Sequence, residues 1–220
     1  MIKETIYMLA PGAVKECYER IMRARYEKTR ARRNTTRIEA LLAGKEPIRL
    51  EIGAGPERKL LGWTTADMCE GCDLVLDLAK PLPFPDNSVE RIYSSHVLEH
   101  FYFRDLLKLL AECRRVLKPS GVFSASVPNA RIYIEAYARP ESFDPGKYCR
   151  HALAYNYNSK IDFLNYMAYM DGHHRYMFDE ENIIAILGKA GFRDSRLRPF
   201  EVELDMRERD FQSIYVQAEK

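Results

Sequence analysis

Residues 48–56 read Ile48-Arg49-Leu50-Glu51-Ile52-Gly53-Ala54-Gly55-Pro56. Apolar and polar residues alternate and then give way to glycines, which predicts a short strand that ends in a tight turn. A turn of this kind suits a nucleotide site, because residues without a Cβ let backbone amides approach a ligand closely. A Gly-x-Gly pair alone is a weak signal. The neighbouring segments therefore decide whether this turn belongs to a site.

Two segments after the glycines predict strands that each end in an acid. Residues 63–67 end in Asp67, and residues 73–77 end in Asp77. In a doubly wound sheet, an acid at the end of the second strand can accept hydrogen bonds from both ribose hydroxyls. Residues 89–95 and 122–128 predict a fourth and a fifth strand, with an amphipathic helix over 103–117 between them. This alternation predicts an α/β fold with a mostly parallel sheet.

The C-terminal third predicts a helix and two strands behind a tyrosine-rich insert. Asp179 caps the helix, which ends at Ala190, and residues 192–206 and 211–218 predict the strands. The insert spans residues 131–176 and follows the fifth strand at the sheet edge where ligands bind. We expect a substrate lid there, with a second small core or a dimer contact as equal alternatives. The insert contains eight tyrosines: Tyr133, Tyr137, Tyr148, Tyr155, Tyr157, Tyr166, Tyr169 and Tyr176.

The composition is that of an ordinary globular chain. Its 220 residues are 46% hydrophobic and 30% charged with a net charge of +2, which argues against a disordered, collagenous or membrane-embedded protein. No apolar run approaches the roughly 20 residues needed to span a bilayer, and Lys3 and Glu4 interrupt any signal peptide. We therefore expect a cytoplasmic protein with five cysteine thiols, in which Cys69 and Cys72 are an incidental pair in a loop.

The segment before the first strand predicts a basic helical arm. Apolar residues recur at helical spacing over 14–43, and nine Lys or Arg residues against three Glu residues lie between Lys15 and Arg37. Such an arm, assigned to residues 1–47, could contact phosphates of a nucleic acid, a lipid headgroup or a nucleotide-linked substrate. A solvated helix face is the simpler interpretation.

Five blocks of the sequence, taken in their order, carry a family resemblance. They are Leu50-Glu-Ile-Gly-Ala-Gly55, Gly62-Trp63 with Asp67, Asp77-Leu-Ala-Lys-Pro-Leu-Pro-Phe84, Ser95-His-Val-Leu-Glu-His100 and Arg115-Val-Leu-Lys-Pro-Ser-Gly121. Over residues 48–130 the chain resembles the class I S-adenosylmethionine-dependent methyltransferases, and most of all their type 11 group. The resemblance implies a Rossmann-like, mostly parallel seven-stranded sheet, closed by an antiparallel C-terminal hairpin, in a domain spanning residues 48–220.

The resemblance also implies which residues bind S-adenosylmethionine. The methionine end would lie against the glycine turn, the ribose on Asp67, the adenine beside Asp77, and the sulfonium above His96. Pro56 stands where the fuller pattern has a third glycine, and Ser120 precedes Gly121 where two glycines are frequent. The expected cofactor-binding set is Glu51, Gly53, Ala54, Gly55, Asp67, Met68, Asp77, Leu78, Ser95 and His96.

The links between the first strands are too short for the helices of a usual crossover. Residues 54–62 and 68–72 provide nine and five residues, whereas a crossover with a full helix needs about a dozen. We therefore expect reduced helices there, and we expect the N-terminal arm to pack on the uncovered sheet.

The histidines supply the catalytic candidates. His96 and His100 stand four residues apart around Glu99, which invites a metal site, but the sequence shows no third ligand and we predict none. His174 resembles a family position that faces the substrate. We assign His174 as general base and His96 as the group that positions the acceptor, although an already nucleophilic acceptor would need no base.

The sequence thus predicts methyl transfer to a small polar acceptor, a sugar or a phosphate-bearing metabolite, with O-methylation as the first candidate. A nicotinamide oxidoreductase would share the sheet but would normally carry Gly-x-Gly-x-x-Gly, which is absent. A nucleic-acid or protein methyltransferase and a non-catalytic nucleotide-binding module stay open. A homodimer also stays open.

Overall fold

The computed structural model describes residues 12–56 and 60–220. The chain divides into two compact units, one ending at Gly44 and the other spanning Lys45–Lys220. The described part of the first unit forms one long helix, α1, Gly12–Ala43, which confirms the helical prediction over 14–43. Residues 1–11 of the predicted arm lie outside the described residues, and the packing of the arm on the sheet stays a prediction.

The second unit is built on a seven-stranded sheet with the order β3-β2-β1-β4-β5-β7-β6. Strands β1 to β5 run parallel, and β7 runs antiparallel to both β5 and β6. The predicted mostly parallel sheet with an antiparallel C-terminal hairpin is therefore confirmed. The strands are β1 Arg49–Ile52, β2 Thr64–Asp67, β3 Leu74–Val75, β4 Val89–Ser95, β5 Leu117–Pro128, β6 Arg193–Leu197 and β7 Ser213–Glu219.

Helices of the second unit follow β4 and β5. They are α2 Phe103–Val116, α3 Ala130–Ala138, α4 Pro145–Tyr148, α5 Ile161–Tyr169 and α6 Glu180–Lys189. Short 3-10 turns cover Leu98–His100, Pro140–Ser142, Ala152–Ala154, Met170–Gly172 and Arg207–Gln212. Asp179 begins α6 as predicted, because its side chain accepts a hydrogen bond from the Asn182 amide at 2.8 Å within a capping box.

The core lies where α2 packs its apolar face toward the sheet. Leu106, Leu110 and Cys113 on that face are completely buried, as are Leu50 and Ile52 of β1. The spacing of the apolar residues of α2 follows the helical repeat, so the sequence alone indicates which face is buried.

The links between the first strands are short turns. Residues 53–56 and 60–63, the described part of the first link, contain no helix, and neither do residues 68–73. This confirms the reduced helices expected there. Strand β3 keeps only two residues of the predicted five, and the Asp73 carboxylate instead accepts hydrogen bonds from the Thr65 amide and hydroxyl at 3.0 and 2.9 Å.

The prediction of one strand over residues 192–206 is wrong, because β6 ends at Leu197. Beyond it the chain turns around a buried ion pair, in which Arg198 Nη2 donates to Asp205 Oδ1 at 2.8 Å. The Asp205 carboxylate also accepts hydrogen bonds from the Glu201 amide and the Tyr93 hydroxyl. A carboxylate with this many donors holds a turn that strand pairing would break.

The tyrosine-rich insert folds around its own hydrophobic cluster. Tyr133 and Tyr166 stack with ring centroids 5.8 Å apart, and Phe143 and Phe163 approach to 4.6 Å. Buried Met167 and Cys149 belong to the same cluster. The insert therefore contains a second small core, as one of the alternatives proposed. Its role as a substrate lid stays a prediction.

Two further expectations concern membranes and cysteines. Within the described residues, no helix has the length and apolar character needed to cross a bilayer. No disulfide links the five cysteines, all of which lie in the described part of the chain. The Sγ atoms of Cys69 and Cys72 lie 3.1 Å apart in the loop after β2.

Candidate active site

The carboxyl ends of β1, β2 and β4 meet at one edge of the sheet. Ile52 of β1 is in register with Ala66 of β2 and with Ser94 of β4. The next residue of each strand or turn is Gly53, Asp67 or Ser95, so these three positions lie side by side. The parallel register thus brings together three residues that are predicted to bind the cofactor.

Two adjoining cavities of about 270 and 390 Å³ open at this edge, and both are lined by Gly53 and His96. The smaller cavity is also lined by Glu51, Ala54, Gly55 and Ser95. The larger is also lined by Asp67, Met68, Asp77 and Leu78. All ten residues predicted for cofactor binding therefore line one cavity or the other, although their contact with a cofactor stays a prediction.

Gly53 adopts a backbone conformation and an environment that only glycine tolerates. Its φ is +69°, and a Cβ at this position would lie 2.1 Å from Cγ2 of Val97. Its amide donates to the Ala66 carbonyl at 2.7 Å. The absent side chain therefore lets Val97 pack against the turn, whereas at Gly55, whose φ is also +69°, no atom of the described residues lies within 4 Å of an added Cβ.

Asp67 organises the glycine turn. Its Oδ2 accepts a hydrogen bond from the Gly55 amide at 2.9 Å, and its Oδ1 accepts one from the Met68 amide. A carboxylate can accept about four hydrogen bonds, so acceptor capacity remains for a ligand in the larger cavity. At the far wall of that cavity, Asp77 Oδ1 accepts from the Ala79 amide at 3.0 Å.

His96 separates the two cavities in a fixed orientation. Its φ is +53°, a left-handed conformation that a residue with a Cβ rarely adopts. Its Nε2 lies 2.8 Å from Ser213 Oγ, and that hydroxyl donates to the Arg209 carbonyl at 2.7 Å. Because the hydroxyl has only one proton to donate, His96 Nε2 must carry the hydrogen, and Nδ1 presents a lone pair. Burial and the nearby Arg209 charge lower the pKa of His96 well below its ordinary value.

Glu99, His100 and His174 converge beside His96. Glu99 Oε1 lies 3.8 Å from His96 Nδ1 and 3.9 Å from His100 Nε2. The rings of His100 and His174 have centroids 5.3 Å apart. Burial raises the pKa of Glu99 to about 8 and lowers that of His174 to about 4. The arrangement is a compact group of nitrogen and oxygen donor atoms.

This cluster corrects one expectation from the sequence, that Glu99 and His100 have no third ligand beside them. A third ligand candidate does exist: atoms of Glu99, His100 and His174 all lie within 4.8 Å of one another. Spacing could not reveal it, because His174 reaches the strand edge from the end of the insert.

Sequence reasoning also missed two residues of the smaller cavity, Met206 and Arg209. Arg209 Nη1 donates to the Ser95 carbonyl at 3.2 Å. Both residues precede β7, whose antiparallel pairing places Ser213 opposite Pro128 at the end of β5. An antiparallel last strand therefore begins at the edge where the parallel strands end, and that topology is the signal that could have located them.

Residues 50–125 match the family model described as a methyltransferase domain, of the type 11 group. These residues, about a third of the chain, are similar to a methyltransferase domain. The family resemblance predicted from the five blocks is therefore confirmed over this segment, which spans β1 to β5.

A protein of Mycolicibacterium smegmatis named as a probable S-adenosylmethionine-dependent methyltransferase is 46% identical over 48 residues, which are 22% of this chain and 18% of that protein. The chain thus matches less than a fifth of the length of this curated relative.

Two solved structures are similar in fold. One is an S-adenosylmethionine-dependent methyltransferase from Mesorhizobium loti, with a TM-score of 0.51, 16% identity, and coverage of 83% of this chain and 95% of that one. The other, from Thermotoga maritima, is described as a possible histamine N-methyltransferase, with a TM-score of 0.50, 15% identity, and coverage of 90% and 95%. At these identities the similarity shows the fold alone.

Proposed function

We propose that the methyltransferase domain transfers the methyl group of S-adenosylmethionine to a small polar acceptor. One observation carries the proposal. The ten residues assigned to the cofactor from the sequence line two adjoining cavities at the carboxyl edge of the sheet. Ligands of open α/β sheets bind at that edge.

The larger cavity suits the nucleoside of S-adenosylmethionine, and the glycine turn suits its methionine end. Asp67 keeps acceptor capacity for ribose hydroxyls after binding the Gly55 and Met68 amides. Asp77 and Leu78 lie farther along the same cavity, where the adenine would bind. The open space beside Gly55, where no atom of the described residues lies within 4 Å of an added Cβ, leaves backbone available to the methionine end.

The acceptor would bind in the smaller cavity. Arg209 contributes a positive charge there and Met206 an apolar surface. This combination favours an acceptor that carries a phosphate or a carboxylate, and O-methylation of a sugar or a related metabolite is our first assignment. The sulfonium supplies an already activated methyl group, so the main task of the chain is to hold the acceptor in line with it.

The catalytic assignments stay predictions, and the two histidines differ in their position relative to the cavities. His96 lines both cavities and is fixed by Ser213, which suits a positioning role. His174, the predicted general base, lines neither of these cavities, and its pKa of about 4 gives it a low affinity for a proton at neutral pH.

Two measurements on the full chain test the proposal. Titration calorimetry should detect saturable binding of S-adenosylmethionine. A panel of sugars, phosphorylated sugars, amines and short RNAs should then produce S-adenosylhomocysteine with one of the small molecules. Absence of cofactor binding would favour a non-catalytic module, and turnover with RNA alone would favour a nucleic-acid methyltransferase.

A further inference from the structure

Three donor side chains beside the larger cavity have no task in cofactor binding as proposed. Glu99, His100 and His174, here called the His-Glu cluster, place their ligand atoms within 4.8 Å of one another. Glu99 and His100 belong to the turn after β4, whereas His174 belongs to the segment before α6. Two separate parts of the chain therefore converge on one point.

Hydrogen bonds to backbone carbonyls fix the orientation of both imidazoles. His100 Nδ1 lies 3.0 Å from the His173 carbonyl oxygen, and His174 Nδ1 lies 2.7 Å from that of Met167. A carbonyl oxygen only accepts, so each Nδ1 must carry a hydrogen. Each ring is then left with a lone pair on Nε2, the atom of His100 that faces Glu99.

The Glu99 carboxylate is buried with one unsatisfied oxygen. Its side chain is 2% exposed, and its Oε2 has no hydrogen-bond partner among the described residues. Its Oε1 faces the imidazoles of His96 and His100 at 3.8 and 3.9 Å, which is beyond hydrogen-bond distance. Burial of a carboxylate oxygen without a hydrogen bond is costly, and a bound cation would offset that cost.

We infer that Glu99, His100 and His174 bind a divalent transition-metal ion. Two imidazole nitrogens and one carboxylate oxygen are a donor set used for Zn²⁺ and for other first-row ions, and three protein ligands leave coordination positions open. The carbonyls of Met167 and His173 orient the rings in the manner of outer-shell partners in metal sites. An ion would satisfy the buried carboxylate and both lone pairs together.

The site can be reached from the proposed active site. The His100 side chain is 43% exposed and His100 lines the larger cavity. An ion held there could polarise a hydroxyl of an acceptor that extends from the smaller cavity past His96, which lines both cavities, and ease loss of its proton to water. His174 would then act as a ligand rather than as the base. This catalytic consequence rests on the proposed function, whereas ion binding does not.

The test is a metal titration of the tag-free full chain after removal of metal with a chelator. We expect one Co²⁺ per chain, with visible absorption bands, and displacement by one Zn²⁺. Glu99→Gln and His174→Gln should each weaken Co²⁺ binding by at least about tenfold. Loss of an outer-shell partner alone lowers metal affinity by about 10- to 100-fold, and loss of a ligand should cost no less. His173→Gln is the matched control, because its side chain is exposed and lies outside the cluster.

Further variants remove the competing explanations. His100→Gln alters the partly exposed ligand, so weakened binding in a variant with a wild-type circular dichroism spectrum excludes misfolding as the cause. Cys69→Ser removes the neighbouring thiol pair and should leave binding unchanged. Stoichiometric binding that is lost in Cys69→Ser, no saturable binding by the wild type, or wild-type affinity in all three ligand variants would each overturn the inference.

The same sample separates this inference from the proposed function. Titration with S-adenosylmethionine before and after addition of Co²⁺ reports cofactor binding independently of the ion. A chain that binds the cofactor but no ion refutes only the metal site. A chain that binds the ion at the cluster but no cofactor refutes only the proposed methyl transfer.

Discussion

The two sides of the candidate active site are built in different ways. On the glycine side, Gly53, Gly55 and Asp67 lie close in sequence and are held by backbone amides and strand register. On the histidine side, His100 and His174 come from segments separated by α2, β5 and most of the insert, and the Glu99 carbonyl joins these segments by accepting hydrogen bonds from the Arg175 and Tyr176 amides at 2.7 and 3.1 Å. The first side therefore depends on local backbone conformation, whereas the second depends on how the insert packs. Substitutions on one side should leave the other intact.

The largest effect is expected from His174→Gln. As a base or as a metal ligand, His174 acts on the acceptor, and its loss should lower turnover by about 10²- to 10⁴-fold. Cofactor affinity should stay within about twofold of wild type, because substitutions have independent effects where the residues share no partner. Calorimetry and S-adenosylhomocysteine release measure the two quantities. A parallel loss of cofactor affinity would break the separation of the two sides.

Gly53→Ala tests the glycine side through its backbone. The new Cβ would lie 2.1 Å from Val97 Cγ2 in a left-handed conformation, so we expect a loss of about 2–5 kcal/mol in the free energy of unfolding. Gly62→Ala is the matched control, since its φ is +78° but no atom of the described residues lies within 4 Å of its added Cβ. Its cost should be about 1 kcal/mol in urea unfolding. Equal costs for the two variants would mean that the contact with Val97 relaxes freely.

Asp67→Asn should weaken S-adenosylmethionine binding by about 10- to 100-fold, because hydrogen bonds to a charged acceptor contribute about 1.5–3 kcal/mol. The side-chain nitrogen of asparagine only donates, so the substitution removes one of the two acceptor oxygens that bind the Gly55 and Met68 amides and leaves fewer acceptors for the ribose. Asp105→Asn, on the exposed face of α2, is the control. An unchanged dissociation constant in calorimetry would remove Asp67 from the cofactor site.

The glycine side could be predicted because its determinants are local. Alternating residues, glycines and a terminal acid define each strand end, and parallel pairing then places Gly53, Asp67 and Ser95 together. The capped helix α6 follows from similarly local signals, whereas the seven-stranded sheet with its antiparallel hairpin was implied by the family resemblance. The resemblance supplied the residue roles, which the strand pattern alone would not have given.

The histidine side could not be predicted because its contacts are set by tertiary packing. The position of His174 depends on the aromatic cluster of the insert and on the Met167 carbonyl, neither of which has a signature in residue spacing. The early end of β6 has a similar cause, since the buried Arg198–Asp205 pair joins residues that read as one strand. Local propensity is overridden where a buried ion pair requires a turn.

The smallest predicted effect concerns a hydrogen-bond network that lies outside the cavities and supports the glycine side. Arg115 Nε and Nη2 donate to the two oxygens of Glu112 at 2.9 and 2.8 Å. The same guanidinium donates to the carbonyls of Leu82 and Phe84. The turn that follows Leu78 is therefore anchored to α2, and Glu112 holds the anchoring arginine in place.

Hydrogen bonds from Arg115 hold the pKa of Glu112 below its ordinary value, although partial burial acts in the opposite direction. A carboxyl group whose pKa is lower in the folded than in the unfolded state stabilises the fold above the unfolded pKa, and this contribution is lost as the pH falls through the folded pKa. Glu112→Gln should therefore cost about 1 kcal/mol at pH 7, and the difference from wild type should shrink below about pH 4.5. Urea unfolding at pH 7, 5, 4 and 3 measures this dependence.

Asp105→Asn, which removes the exposed pair with Lys108 on the same helix, should show no comparable trend. A constant difference between wild type and Glu112→Gln across this range would mean that Glu112 supports the turn after Leu78 through packing and its hydrogen bond from the Leu82 amide, at 2.8 Å, rather than through its charge.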